Sequence, residues 1–302
     1  MIPIKKVGVV IVTYNSKKYI ESCLDSVLNS NTPLEIIIID NASTDTTVRL
    51  LQKRYPDVCL FQNQKNLGFG AGINIGLRHL LKKGGFDYIL LLNPDTLVSK
   101  NLIEELIKPF SNQNKIGVTG PIITYQEKSK IWFAGGYFNK LFCFSRHPFM
   151  DKDINTVHIT SGKTDFITGG CLMIKREVID KVGLLDEKYF LYFEDVFFST
   201  KVRKAGYTCH LVAKPLVSHL VSAVTGEAGT NRMTPLRAYY FARNPLLYIM
   251  GEVQGLLKLS NIFGQLFIRL PYYSFQMLKK KDFRSFISYL KGLRDGFMAW
   301  FS

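Results

Sequence analysis

Asn93-Pro94-Asp95 sets a carboxylate directly after the apolar run Tyr88 to Leu92. Such a run is expected to be a buried strand, and the turn then puts Asp95 at its carboxyl end, where ligands bind in open α/β sheets. A carboxylate there suits a hard divalent cation, which takes oxygen ligands and bridges to substrate phosphates. Asn, Pro and Asp also favour turns unaided, so a plain turn remains an alternative. Asp40 ends another apolar run, where it can accept a hydrogen bond from a ligand or cap the helix before Ser43. Glu194-Asp195 follows the aromatic run Tyr189 to Phe193. Two acids in a first helical turn are favoured electrostatically, and a carboxylate there can also serve as a proton acceptor. His219 follows the last strand, as a structural histidine or a neutral imidazole ligand. The stretch Asn66 to Gly76 carries four glycines and opens a helix, so backbone can approach a ligand closely and the helix N-terminus favours anions.

Alternating elements must hold these groups. Residues 7–13, 34–39, 58–61 and 88–92 are short apolar runs that predict strands. Helices are expected between them: from a cap at Asn15 or Ser16 to about residue 28, from Ser43-Thr44-Asp45 to about residue 55, and over 70–82. This order implies an α/β fold, a Rossmann-like, mainly parallel sheet flanked by helices. In the middle, residues 116–124, 130–138, 157–160 and 164–174 are β-like runs broken by Gly, Pro and Asn. Helices are expected over 176–182 and 194–205, the second stopped by Gly206, and a last strand over 208–213. From about residue 234 the pattern is helical and rich in Leu, Ile, Phe and Tyr.

A chain of 302 residues can bury one large core or two modest ones. Its formal charge of +15 points to nucleic acid, an anionic membrane surface or phosphorylated substrates. Five scattered cysteines form no C-x-x-C pair, which suggests neither a zinc site nor a disulfide framework and fits a reducing, cytoplasmic setting. No signal peptide is expected from the N-terminal pattern, and no apolar stretch reaches the length of a transmembrane helix. No recognition motif accompanies the charge, so a nucleic-acid partner is not expected.

Taken together, Val10-Ile11-Val12-Thr13-Tyr14-Asn15, Ile39-Asp40-Asn41-Ala42-Ser43-Thr44-Asp45, Asn66-Leu67-Gly68-Phe69-Gly70, Leu92-Asn93-Pro94-Asp95-Thr96 and Phe193-Glu194-Asp195 resemble, in order, the motifs of inverting glycosyltransferase family two with the GT-A fold. The likeness is greatest to its bacterial rhamnosyltransferase-like branch and covers roughly residues 5–220. It implies that Thr13, Tyr14 and Asn15 line a base and ribose pocket, that Asp40 accepts the imide N–H of uracil or thymine, and that Asn66 and Gly68 touch the nucleotide. Asp95 matches the second acid of the family's Asp-x-Asp, which binds the divalent metal (Mg or Mn), and His219 would complete that site. Asn93 stands where many members have Asp, so a contact to ribose or to a metal-bound water is expected of it rather than direct coordination. Asp195 matches the general base, with Glu194 as its acceptor-side or orienting partner, although the residues alone leave the reverse assignment open. Thr168-Gly169-Gly170-Cys171 resembles the segment beside donor sugar and acceptor. Trp132 and Gly135-Gly136 shape the sugar pocket or the core. Arg237, Arg243 and Asn244 steady the diphosphate or cap the C-terminal helices.

The implied reaction is metal-dependent, inverting sugar transfer from a nucleotide donor, dTDP-L-rhamnose or a UDP-sugar, to a lipid-linked or surface polysaccharide acceptor. A non-catalytic nucleotide-sugar-binding subunit is the alternative. A nucleotidyltransferase would carry a basic, Gly-rich loop after its first strand, and Thr13-Tyr14-Asn15-Ser16 is not one. The expected organisation is a catalytic domain over 1–233, with a nucleotide-binding half to about 100 and an acceptor half over 101–233, followed by an extension over 234–302. From Pro245 on, eight Lys and Arg face three acids, a net +5. Basic and aromatic residues mixed on helices suit a peripheral anchor on an anionic membrane, here the inner face of a bacterial plasma membrane. A hairpin packed on the core and an oligomer contact are the alternatives.

Overall fold

The computed structural model describes residues 6–112, 115–126, 129–220 and 233–300. In chain order the elements are β1 (Val7–Thr13), α1 (Ile20–Leu28), β2 (Leu34–Asp40), α2 (Thr47–Arg54), β3 (Cys59–Gln62), α3 (Phe69–Lys83), β4 (Tyr88–Leu92), β5 (Thr96–Val98), α4 (Leu102–Asn112), β6 (Ile116–Tyr125), β7 (Ile131–Phe133), β8 (Tyr137–Asn139), β9 (Phe144–Arg146), β10 (Gly162–Thr164), β11 (Cys171–Lys175), α5 (Arg176–Val182), α6 (Glu194–Lys204), β12 (Thr208–His219), α7 (Pro235–Glu252), α8 (Gly255–Phe263), α9 (Leu270–Lys279) and α10 (Phe283–Met298). A π-helical turn, Gly264–Arg269, joins α8 to α9.

The main sheet runs β10-β12-β6-β11-β4-β1-β2-β3. β4, β1, β2 and β3 are parallel, as the unbroken apolar runs predict. β1 is buried at all seven positions. β11 is antiparallel to both β4 and β6, while β12 is parallel to β6. The helix α3 lies tight on the sheet because Gly76 has no Cβ, and one placed there would come within 2.5 Å of Val10. The sheet and its helices share one core that includes Ile11, Ile38, Leu91, Leu172 and Phe198, and Ala242, Leu246 and Tyr289 of the C-terminal helices belong to it.

Several expectations change. Neither Asn15 nor Ser16 caps α1 through its side chain; the helix starts later, after Tyr19. The predicted run 130–138 is two strands, β7 and β8, with Ala134-Gly135-Gly136 between them. Residues 157–160 are irregular, and 164–174 is extended only at its two ends, Thr164 closing β10 and Cys171 opening β11. β12 does not stop near residue 213. It passes through Pro215 with register shifts on both sides and continues to His219. Irregular pairing at this point accommodates a residue that lacks the ladder N–H. α4 was not anticipated, since Pro109 interrupts its apolar pattern.

Candidate active site

Asp95 and His219 are 124 residues apart in sequence, and the sheet brings them together. β5 begins immediately after Asp95 and pairs with the end of β12, with Thr96 opposite His219. The Leu220 N–H donates to the Asp95 carbonyl at 2.9 Å. The two side chains are nearly buried and meet at 2.8 Å, His219 Nε2 to Asp95 Oδ1. Asn93 Nδ2 lies 3.4 Å from the same nitrogen. Trp132 closes this corner in a T-shaped contact, its ring centroid 4.5 Å from that of His219 at 78°. His147 stands on another side of Trp132 and contacts its carbonyl through Nδ1 at 3.2 Å. Burial pushes the His147 pKa down to about 4, so this imidazole is neutral. Nothing in the sequence singled out His147, a lone histidine in an Arg-His-Pro turn.

The fit of this corner to a divalent ion can be tested by distance. Two ligands each ~2.1 Å from one octahedral ion stand about 3 Å apart, close to the observed His219–Asp95 separation. His219 Nδ1 is buried and has no hydrogen-bond partner among the described residues. Among the described residues no group of three or more His, Cys, Asp or Glu converges to hold an ion. The pair therefore suits a cation that takes its other ligands from diphosphate and water, as magnesium commonly does.

Asp195 lies across a two-glycine strip from this pair. The Gly169 N–H donates to Asp195 Oδ2 at 2.9 Å, and the Asn93 N–H donates to the Gly170 carbonyl at 3.1 Å. Trp132 approaches Gly170 closely. Thr168-Gly169-Gly170 thus spans the acid at the start of α6 and the turn that carries Asp95. Burial raises the Asp195 pKa, against hydrogen bonds from the Gly169 and Val196 amides and the Thr168 hydroxyl. Glu194 is more deeply buried, and among the described residues its Oε2 has no partner. Burial, then the charge of Asp195, raises its pKa well above the usual carboxylate range. Burial beside a second carboxyl thus favours the protonated form of Glu194.

The acids owe their direction to the turn before them. Tyr192 and Phe193 are consecutive non-glycine residues with positive φ, 65° and 78°. Such a pair stores strain and persists only when its surroundings enforce it. Here α7 enforces it. Asn244 Nδ2 donates to the carbonyls of Leu191 and Tyr192, and Arg243 donates to the carbonyl of Lys188 at 3.2 Å. Tyr240 stacks on Phe190, Phe241 meets Tyr192 edge-on, and Arg237 lies over the rings of Tyr192 and Phe241. Arg243 and Asn244 therefore brace the turn that precedes α6.

At the carboxyl ends of β1 and β2, Asp40 accepts from Thr13 Oγ1 at 2.9 Å and from the Ser43 N–H and hydroxyl. A carboxylate offers about four acceptor sites, so these contacts leave room for one more donor. Asn15, at φ 52°, uses its side-chain oxygen to hold the Thr44 and Asp45 amides. Tyr14 lies between these anchored neighbours and is partly exposed. Asn41, not among the predicted contacts, donates to the Gly68 carbonyl, and Asn66 accepts from the Gly68 N–H. Gly68 has φ +87°, and a Cβ there would lie 2.3 Å from the Phe190 carbonyl, so this position joins the loop to the aromatic turn.

Gly135 and Gly136 stand apart from the acids, against Thr164 and Phe166, and line a cavity of about 600 Å³ with Tyr137, Asp165 and Arg203. None of Asp95, Asp195 and His219 lines that cavity. The acids instead surround a face at the carboxyl ends of β1, β2 and β4, the place at which α/β sheets bind ligands. Val221 and Ser222 beyond His219 lie outside the described residues.

Known proteins resemble the chain in sequence and in fold. The chain is 28% identical over 238 residues to the N-acetylglucosaminyl-diphospho-decaprenol L-rhamnosyltransferase of Mycobacterium tuberculosis, covering 72% of this chain and 77% of that one. It is 25% identical over 251 residues to the dTDP-rhamnosyl transferase RfbF of Shigella flexneri, covering 80% and 78%. The structure of the mannosyltransferase PcManGT from Pyrobaculum calidifontis, solved with GDP-Man and Mn2+, superimposes with a TM-score of 0.57 at 17% identity, over 97% of this chain and 75% of that one. That likeness shows a shared GT-A fold. Residues 8–183 match the family described as glycosyl transferase family 2, and the chain accordingly belongs to that family and is a glycosyltransferase.

Proposed function

We propose that the protein transfers a sugar, with inversion, from a pyrimidine nucleotide donor to a lipid-linked or surface polysaccharide acceptor, dTDP-L-rhamnose being the favoured donor and a UDP-sugar the next. The observation that carries this reading is the Gly169-Gly170 strip, which sets Asp195 on one side and the Asp95–His219 pair on the other.

In this reading the acceptor hydroxyl oxygen forms a bond to the anomeric carbon while the bond to the diphosphate oxygen breaks. Asp195 takes the hydroxyl proton, and the nucleoside diphosphate leaves with its electron pair. Its raised pKa makes Asp195 a stronger base than an exposed aspartate, and the Gly169 amide orients one of its oxygens. Asp95 and His219 would hold a divalent ion, Mg or Mn, which when bound supplies positive charge opposite the departing diphosphate. Thr13, Tyr14, Asn15, Asn66, Gly68 and Asn93 are assigned to the nucleotide, with the free acceptor site of Asp40 taking the imide N–H of thymine or uracil. Trp132, Gly169 and Gly170 are assigned to the sugars, and Glu194 to a neutral partner of the base.

The two rhamnosyltransferase relatives support the sugar, and the decaprenol in one of their names supports a lipid-linked acceptor. Residues 1–233 are assigned to catalysis and 234–302 to an extension that braces it. Thermal stabilisation and hydrolysis across a panel of nucleotide sugars, with Mg or Mn, tests the donor. dTDP-L-rhamnose should give the largest shift. Preference for a purine nucleotide sugar would overturn the base assignment of Asp40.

A further inference from the structure

Along the helical run formed by α8, the π-turn and α9, polarity is reversed over α8 and the π-turn, while α9 is anchored by buried Met277. Asn261, Gly264 and Gln265 face inward and are buried. The Asn261 amide donates to the carbonyls of Lys140 and Leu141, and the Gln265 amide to those of Phe142 and Cys143, in the turn between β8 and β9. Ser260 donates to the Leu141 carbonyl as well. Outward, the same run presents Leu256, Leu259, Phe263, Phe267 and Phe275, each more than half exposed and up to 83% for Leu256. The spacing of the first four is three or four residues, so they form one stripe. A helix on a water-facing surface buries its apolar stripe and exposes its amides. This one does the opposite, which suits an apolar environment outside the molecule.

The next helix also exposes large apolar side chains. Phe283 and Ile287 of α10 are 59% and 65% exposed. Among the described residues, thirteen of the eighteen large hydrophobic side chains that are exposed lie between Leu256 and Met298. A concentration of this size marks an interaction surface, whereas scattered exposed side chains need no explanation. Charge names the occupant. Lys279, Lys280 and Lys281 form an exposed basic turn between α9 and α10, next to Leu278 and Phe283, and exposed Arg284 and Lys291 follow on α10. Apolar side chains interleaved with lysines and arginines match the acyl boundary and headgroups of an anionic leaflet. A second copy fits less well, because a symmetric self-contact through this patch would set two such basic turns near each other. No helix among the described residues is long and apolar enough to cross a membrane.

We propose that the outer face of the run 255–279, with the basic turn and α10, is a docking surface for an anionic lipid bilayer, entered as far as the Phe and Leu stripe. The proposal does not depend on the donor or the acceptor. The test is flotation of the full-length protein with vesicles of phosphatidylglycerol and phosphatidylcholine, beside phosphatidylcholine alone, over a salt series. Co-flotation should require phosphatidylglycerol and fall as salt rises. Phe267→Ser/Phe275→Ser removes only exposed rings, and Lys279→Glu/Lys280→Glu/Lys281→Glu reverses only exposed charges. Each should weaken binding by roughly tenfold or more while melting temperature and hydrolysis of soluble nucleotide sugar stay at the parent values. Wild-type protein that stays unbound at low salt overturns the proposal. So does binding that both variants retain, and so does a sedimenting dimer, without vesicle binding, that Phe267→Ser/Phe275→Ser dissociates.

Discussion

Asn244 Nδ2 holds the Tyr192 carbonyl at 2.7 Å, and through this bond a helix near the C-terminus sets the backbone from which Glu194 and Asp195 project. Asn244 touches neither of the acids directly. It acts on the strained pair Tyr192-Phe193, so its effect should reach the chemical step without reaching the nucleotide. Asn244→Leu keeps the bulk and removes both donors. Misplacement of a catalytic group by an ångström can cost about 100-fold in rate. We expect kcat to fall by roughly 10- to 100-fold with the donor KM little changed. Melting temperature should drop by several degrees, since two carbonyls lose their partner. A variant with parent kcat would show that the turn holds its shape without α7.

Asp195→Asn should reduce transfer by ~10²–10⁴-fold while nucleoside diphosphate binding persists, because it keeps the shape and loses the proton acceptor. The acid limb of kcat/KM should lie above the ordinary aspartate value of about 3.9, since burial raises Asp195. Thr168→Val should move that limb higher still, because the Thr168 hydroxyl favours the charged form. A profile unmoved by Thr168→Val, or full loss of activity in Glu194→Gln alone, would transfer the role of base away from Asp195.

Asp95→Ala and His219→Ala should each weaken metal-dependent dTDP or UDP binding by at least ~10-fold. EDTA should abolish transfer by the wild type. Calorimetry is the direct measurement, and equal nucleotide affinity with and without Mg or Mn would remove the ion from this corner.

Glu194 gives a pH signature in stability. An unfolded glutamate ionises near ~4.3, whereas the folded one keeps its proton well above that. The folded state therefore binds the extra proton. The stability this contributes is fully present below about pH 4 and is lost as pH climbs through the raised folded pKa. Glutamine has no proton to lose. The melting temperature of Glu194→Gln relative to wild type should rise between about pH 4 and neutrality, and the pH-dependent part should vanish in acid. A constant offset over that range would mean that Glu194 is ionised in the fold.

The parallel half of the sheet was legible because strands buried on both faces become continuous apolar runs: β1, β2 and β4 match their predicted bounds within a residue. In the antiparallel half β6 also matches within a residue, but β7 to β10 were not legible, since they are three-residue strands with no period to detect. Asp95, Asp195 and His219 stood out as carboxylates and an imidazole at element ends. What could not be read was how they are joined. The passage of β12 through Pro215 to His219 depends on an irregular pairing with β6, and a proline in an isolated sequence argues for a break. The part Asn244 plays depends on carbonyls more than fifty residues away, for which no local pattern exists. Asn15 was expected at the cap of α1, but its side-chain oxygen instead takes backbone donors of a second loop, 29 residues on, which no local pattern shows.

Trp132 lies in T-shaped contact with His219, and the chain has only one other tryptophan, Trp300, whose ring lies under Lys258 of α8. The protein thus carries two natural fluorophores in separate places, one in the catalytic corner and one among the C-terminal helices. Trp300→Phe leaves an emission that should respond to nucleotide and metal, and Trp132→Phe leaves one that should respond to vesicles. Single-tryptophan variants would let the order of donor capture and surface docking be timed in one stopped-flow cuvette, without any attached dye.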